Sequence, residues 1–160
     1  MQVQDIMSKD VCFCSPQTNA AAAADLMWRR NFGILPIVED GGRVVGTVTD
    51  RDLFIALGTS NRKPADMPVG EIMNTNLVVC NPGDDIRGTL KTMAQNQLRR
   101  LPVVDETGAL KGVLSLSDIA LRTADDLSMD VLNTARAIYD RRDRRRAAQR
   151  DAFWSGQAAA

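Results

Sequence analysis

The sequence predicts a mixed α/β (α+β) protein made of two copies of one β-α-β-β-α unit, followed by a C-terminal helix. Three observations predict it. The chain overlies itself without a gap at a shift of 66 residues, which lays Ile6–Leu53 over Ile72–Ile119. Each copy alternates short runs rich in β-branched residues with stretches of helix formers. Aromatic residues are only 4% of the 160, so the core has to come from Val, Ile, Leu, Met and Ala. Identities recur at Ile6/Ile72, Met7/Met73, Cys14/Cys80, Pro16/Pro82, Met27/Met93, Leu35/Leu101, Pro36/Pro102, Val38/Val104, Gly46/Gly112 and Asp52/Asp118. A unit of this size cannot bury its apolar face alone, so the copies must pack together.

The first copy opens with Val11-Cys12-Phe13-Cys14, a short strand ended by Ser15-Pro16. Ala20–Arg30 is a strong helix former, with Thr18 or Asn19 placed to cap it. Leu35–Glu39 and Arg43–Val48 are strands around the turn signal Asp40-Gly41-Gly42. A second helix runs from about Asp50 to Leu57 and stops at Gly58. The second copy repeats this order: a strand over Leu77–Cys80, a helix over Ile86–Asn96, a strand over Leu101–Asp105 and a turn at Glu106-Thr107-Gly108. A strand over Leu110–Leu114 and a helix from Ser117 complete it. The polar, proline-containing stretch Thr59–Pro68 reads as a linker, which divides the chain into 1–58, 59–68, 69–123 and 124–160. Beyond Thr123, residues Val131, Leu132, Ala135, Ile138 and Tyr139 fall at helical spacing and form an apolar stripe.

Composition excludes several function classes. The chain has no histidine, so His-based triads, relays and zinc sites are absent, and no phosphate-cradling glycine loop takes their place. An enzyme is therefore not expected. Cys12, Cys14 and Cys80 have no disulfide-framework spacing; they read as buried strand residues in a reducing compartment, with metal binding as the lesser alternative. No stretch approaches the roughly 20 apolar residues of a membrane span, and the start lacks the regions of a signal peptide, so a cytoplasmic location is expected. Charge is uneven: residues 136–160 carry 7 basic and 3 acidic side chains, while the rest carries 13 and 17.

Two places carry candidate chemistry. Thr49 and Asp52 lie at a strand-to-helix turn, and Ser115 and Asp118 repeat the arrangement. Unpaired amides and the dipole of such a helix start favour a phosphate, and a carboxylate there can accept both vicinal hydroxyls of a ribose. The same spacing also makes a capping box, which needs no ligand. The two roles can coexist at one helix end.

These residues resemble a tandem pair of cystathionine-β-synthase (CBS) domains, the Bateman module. The resemblance covers roughly residues 3–123 and is carried in both copies. It rests on Asp5-Ile6-Met7 and Glu71-Ile72-Met73, on Leu35–Glu39 and Leu101–Asp105, and on Gly46–Asp52 and Gly112–Asp118. It implies two repeats related by a pseudo-twofold axis, with two clefts that hold adenosine compounds such as AMP, ADP, ATP, NAD or S-adenosylmethionine. It implies no catalytic group, no metal and no cofactor beyond that ligand. Facing Thr49 and Asp52, the second repeat would offer Asn81, Ile86 and Leu110, with Arg99 and Arg100 at the place of phosphate-binding basic residues. Facing Ser115 and Asp118, the first would offer Ser15, Ala20 and Val44. Gly33-Ile34 stands where the second repeat has its two arginines, so the clefts are unequal. The resemblance further implies a homodimer through helix faces carrying Trp28, Leu53, Leu57 and Leu90, supported by the stripe Val131–Tyr139 unless the last helix folds back over its own subunit, and a separate effector protein. The arginine-rich segment Arg141–Arg150 leaves nucleic-acid binding as the alternative, weakened by the interleaved Asp140, Asp143 and Asp151.

Overall fold

The computed structural model describes residues 1–123 and 127–140; the expected arginine cluster from Arg141 onward lies outside them. Each half contains one antiparallel hairpin and two helices. In the first, α2 (Ala20–Arg30) leads to β1 (Ile34–Val38), β2 (Val44–Thr49) and α3 (Asp50–Thr59). In the second, α4 (Ile86–Asn96) leads to β3 (Arg100–Val104), β4 (Leu110–Ser115) and α5 (Leu116–Arg122). A four-residue turn, α1 (Val3–Ile6), precedes them, and a last helix, α6, covers 128–140.

The long helices start where the sequence has a cap: Asn19 Oδ1 accepts from Ala22 N at 2.9 Å, and Asp85 Oδ2 from Gly88 N at 3.2 Å. Both end on a left-handed residue, Asn31 (φ 54°) and Gln97 (φ 57°). The hairpins share one register, Ile34↔Thr49 matching Arg100↔Ser115, with a bulge after Ile37 and after Val103. Their turns need glycine, because Gly41, Gly42 and Gly108 all have φ between 81° and 92°.

The expected opening strand of each copy is reduced to one parallel bridge, Cys14 on Ile37 and Cys80 on Val103. Only one residue of each run docks because the next is committed to a Pro-containing turn. Helix α3 continues through Gly58 to Thr59 rather than stopping there, and α5 begins one residue before Ser117.

The two halves meet about a pseudo-twofold axis at their hairpin turns. Val44 N donates to Gly108 O at 3.0 Å and, reciprocally, Leu110 N to Gly42 O at 3.0 Å. Val38, Val44 and Val104 close this contact.

Each half completes its core with chain from outside its own β-α-β-β-α unit. Val3, Ile6 and Met7 are buried with Ile86, Leu90, Met93, Leu101 and Leu114 of the second half. Met67 and Val69 are buried with Ala20, Met27, Leu35 and Leu53 of the first. The crossing segments hydrogen-bond onto the hairpins: Ser8 and Val113 exchange two bonds of 3.0 Å, and Asn74 and Thr47 exchange bonds of 2.8 and 3.1 Å. Gly46 and Gly112 are what make the crossings possible. A Cβ on Gly112 would stand 2.7 Å from Ser8 O, and one on Gly46 2.7 Å from Met73 Sδ.

Helix α6 lies on its own second half, so the fold-back alternative holds and its stripe is not left for a second copy. Ile138 is buried in that core with Leu127, and Val131 packs against it, while Arg87 pairs with Asp130 at 3.2 Å. The apolar stripe expected there is rotated: Thr134 is buried with Ile138, whereas Leu132 and Tyr139 are exposed. Of the side chains expected on open helix faces, Leu90 and Leu53 are instead buried, and Trp28 is 86% exposed with Phe54 beside it at 77%. Among the described residues no helix is long and apolar enough to cross a membrane.

Candidate functional site

The chain places two identical capping boxes at the starts of α3 and α5. Thr49 N donates to Asp52 Oδ2 at 2.8 Å, Thr49 Oγ1 donates to the same oxygen at 2.7 Å, and Asp52 N donates back to Thr49 Oγ1 at 3.2 Å. At the second site the corresponding distances are 3.0, 2.6 and 2.9 Å, between Ser115 and Asp118. The capping alternative is therefore realised. It also overturns the expectation of a phosphate seated on these amides. Arg51 N is taken by Asp50 Oδ1 at 2.8 Å and Leu116 N by Arg99 O at 2.9 Å, so few helix-start donors remain and carboxylates crowd the first site. Each box uses one carboxylate oxygen twice; the other oxygen, Oδ1, keeps acceptor capacity for a hydroxyl.

Around Asp118 the two halves enclose a cleft of about 190 Å³. The second half contributes Arg100, Val113, Ser115 and Asp118; the first contributes Ser8, Val11, Asn31, Phe32 and Ile34. Val11, Phe32, Ile34 and Val113 are half-buried, so the walls are apolar and open to an entering molecule. The 66-residue correspondence turns Ser8, Val11, Val113 and Asp118 into Asn74, Leu77, Thr47 and Asp52. The reciprocal Asn74–Thr47 bonds show the same crossing at that end.

Arg100 is the charged side chain between these ends. Its backbone pairs with Ser115 on the hairpin. Its guanidinium also reaches the first half, with Nη1 3.3 Å from where a Cβ on Gly33 would stand and Asp50 Oδ2 3.6 Å from the same point. Sequence reasoning assigned Arg100 to the cleft of Asp52; it lines that of Asp118 and also borders a hollow with Gly33, Asp50 and Leu53 at the start of α3. Arg99 borders the hollow at Gly33 and Asp50 as well, with its Nη1 3.3 Å from Tyr139 Oη on α6.

The residues carried over by resemblance are placed differently from the expectation. Ala20 and Ile86 are shut in the two cores, at 0% and 1% exposure, because Met67 and Val3 of the crossing segments pack among them. Val44 and Leu110 belong to the inter-hairpin contact on the axis. Ser15 N donates to Thr18 Oγ1 within its own turn. Asn81 N donates to Asp84 Oδ2, and the side chain borders a surface hollow with Asp105, Glu106 and Thr107. Ser15, Ala20 and Val44, the three expected at the Asp118 cleft, do not line it. Ser8, Val11, Phe32 and Val113 do, and sequence reasoning missed them. The available signal was the pair Ile34/Arg100, equivalent residues that open the two hairpins.

Burial raises the Cys14 thiol above its ordinary value and pushes Cys80 up to about 12, so both stay protonated near neutral pH. The two sulfurs sit in separate cores, and no group of three or more Cys, Asp or Glu among the described residues is arranged to hold a metal.

Comparisons with known proteins agree with this architecture. A family model described as CBS domain matches residues 3–59 and again 69–124. The chain is 39% identical to the CBS domain-containing protein YhcV of Bacillus subtilis over 119 residues, 74% of this chain and 83% of the relative. The crystal structure of Hypoxic Response Protein I with two coordinated zinc ions superposes with a TM-score of 0.71 at 30% identity, covering 78% of this chain and 100% of that one. The CBS domain pair of protein MJ0100, in complex with 5-methylthioadenosine and S-adenosyl-L-methionine, gives 0.67 at 27% identity, covering 76% and 94%.

Proposed function

The chain belongs to the CBS-domain family, and from that premise we propose that it is a regulatory module that binds an adenosine nucleotide and signals to a separate partner protein, catalysing nothing itself. The observation that carries the reading is the cleft of Asp118: two repeats join apolar walls, an available carboxylate oxygen and a guanidinium within one opening. An adenine fits between Phe32, Val11 and Val113, a ribose hydroxyl against Asp118 Oδ1, and a phosphate against Arg100. Hydrogen bonds to a charged group contribute about 1.5–3 kcal/mol each, and an arginine fork suits phosphate oxygens. At about 190 Å³ the opening is smaller than the roughly 300–1,000 Å³ of common ligand sites. The base and ribose therefore occupy it, and the phosphate projects outward to Arg100.

The MJ0100 pair, whose ligands share an adenosine group, supports the base and ribose part of this reading. Arg100 selects within the class, since a guanidinium attracts the phosphate of AMP, ADP, ATP or NAD and repels a sulfonium. We place the contact with a second copy of the chain on the α2–α3 face, where Trp28, Phe54 and Leu57 form the apolar side of a groove that Asp50, Arg99 and Arg100 also border. A self-complementary patch of this kind is most simply covered by twofold pairing.

Charge tests the ribose assignment. A carboxylate oxygen holding a ribose hydroxyl repels a 2′-phosphate at contact distance, so NADP is expected to bind at least tenfold more weakly than NAD in calorimetric titration. Equal affinities would remove Asp52 and Asp118 from the ribose.

A further inference from the structure

We infer that a second copy of the chain, seated on the α2–α3 face, closes over the wall of the Asp118 cleft, so that pairing and the binding of a phosphate-bearing nucleotide strengthen each other. The inference rests on the nucleotide-binding and pairing readings above and adds the coupling between them. Its basis is a shared wall. Asn31, Phe32 and Arg100 line the Asp118 cleft and also border the groove between α2 and α3. Asn31 ends α2 in the left-handed conformation, and Phe32 follows it out of the helix. What covers the groove therefore touches the residues that hold the ligand.

The fold itself shows what such a face takes. The 66-residue correspondence lays Ala24, Met27 and Leu53 of the groove over Leu90, Met93 and Ile119. In the second half those three share a core with Leu127 and Ile138, and Leu90 and Ala94 of α4 face Asp130 and Thr134 of α6. A helix thus covers the equivalent face there. Among the described residues, no helix of the first half does the same for Trp28 and Phe54, which are 86% and 77% exposed. The second half has the small Ala94 and Ala120 at these two places. The α2–α3 face of a second copy supplies the missing helical surface, and α6 keeps that copy off the other half.

Charge sets the sign of the coupling. Helices α2 and α3 with the start of β3 carry Arg29, Arg30, Arg51, Arg99 and Arg100 against Asp25, Asp50 and Asp52. Twofold pairing lays this excess of arginine on itself. Arg100 is half-buried and makes no ion pair among the described residues, so a second copy would strip its water and give it no counter-charge. A phosphate at Arg100 reduces the excess and provides the partner before the second copy closes. Adenosine brings no charge and leaves the repulsion as it was. Coupling between two binding equilibria is reciprocal, so AMP gains from pairing what pairing gains from AMP.

Sedimentation equilibrium of the full chain, at dilutions that span dissociation of the pair, reads pairing; calorimetric titration reads binding. Saturating AMP is expected to lower the dissociation constant of the pair at least about tenfold, while saturating adenosine leaves it unchanged. Trp28→Arg, at an exposed position outside the cleft, should give a folded monomer by melting curve. Its AMP affinity should fall at least about tenfold, although the new charge is cationic, and its adenosine affinity should stay that of the parent. Arg100→Ala should remove the effect of AMP on pairing. An unchanged or raised dissociation constant with AMP, an equal effect of adenosine, or pairing that survives Trp28→Arg would overturn the coupling while leaving nucleotide binding intact. A chain that stays monomeric with AMP bound removes the pairing reading, and one that binds neither AMP nor adenosine removes the nucleotide reading; the coupling falls with either.

Discussion

A chain lacking residues 1–7 is expected to lose the folded second half, although every residue from 69 to 123 is retained. Val3, Ile6 and Met7 are at 0, 3 and 9% exposure, packed among Ile86, Leu90, Leu101 and Leu114. Fully burying one such side chain contributes about 1.5–3 kcal/mol, so three contribute about 4.5–9, comparable with the roughly 5–15 kcal/mol that holds a typical domain together. Their loss also leaves Ser8, the residue anchored on Val113, as a bare chain end and removes the bond from Arg122 Nη1 to Ile6 O at 2.9 Å. Amide NMR spectra should show collapsed dispersion for the second half. An unchanged urea midpoint would show that the crossing segment is dispensable.

The crossing also makes Gly112 intolerant of a single methyl group. A Cβ there would be 2.7 Å from Ser8 O and 3.0 Å from Met7 Sδ. The oxygen cannot retreat, because it accepts from Val113 N. Overpacking of this kind costs about 1–3 kcal/mol, so Gly112→Ala should lower the unfolding free energy by that amount in urea denaturation. Gly46→Ala should cost less, since its nearest neighbour is the movable Met73 Sδ. Gly88→Ala, in α4 with nothing within 4 Å, should stabilise by about 0.5–1 kcal/mol. Equal effects at Gly112 and Gly88 would contradict the packing described.

The contrast between these glycines shows what was legible in the sequence. Local signals were read correctly where local physics decides. Helices at Ala20–Arg30 and Ile86–Asn96 follow from helix formers, the first behind a capping Asn19, and the hairpins follow from β-branched runs around glycine turns. The capping boxes were visible from spacing alone. Partnership between distant segments was not. The repeat groups Ile6-Met7 with the first copy and Ile72-Met73 with the second, but periodicity carries no record of which core an apolar residue enters. That single gap accounts for most of the site differences. Once Met67 and Val3 fill the cores, Ala20 and Ile86 are sealed, and the cleft wall passes to Val11, Phe32 and Val113. The exchange of Leu132 and Tyr139 for Thr134 on α6 has a similar origin: the stripe was drawn without knowing which turn of the helix meets Leu127 and Val131.

The central claim is that the two helix-start carboxylates hold the ribose of an adenosine ligand as well as capping their helices. Calorimetric titration of adenosine into the double variant Asp52→Asn, Asp118→Asn tests it most directly. The amide oxygen still accepts from Thr49 N and Ser115 N, which preserves the cap, while the charge is removed. Replacing a charged acceptor by a neutral one costs at least about 1.4 kcal/mol of the 1.5–3 available, a factor of ten. The account predicts adenosine binding weakened at least tenfold in a protein whose melting temperature stays within a few degrees of the parent. Adenosine affinity unchanged in the double variant would contradict it and leave Asp52 and Asp118 as helix caps alone.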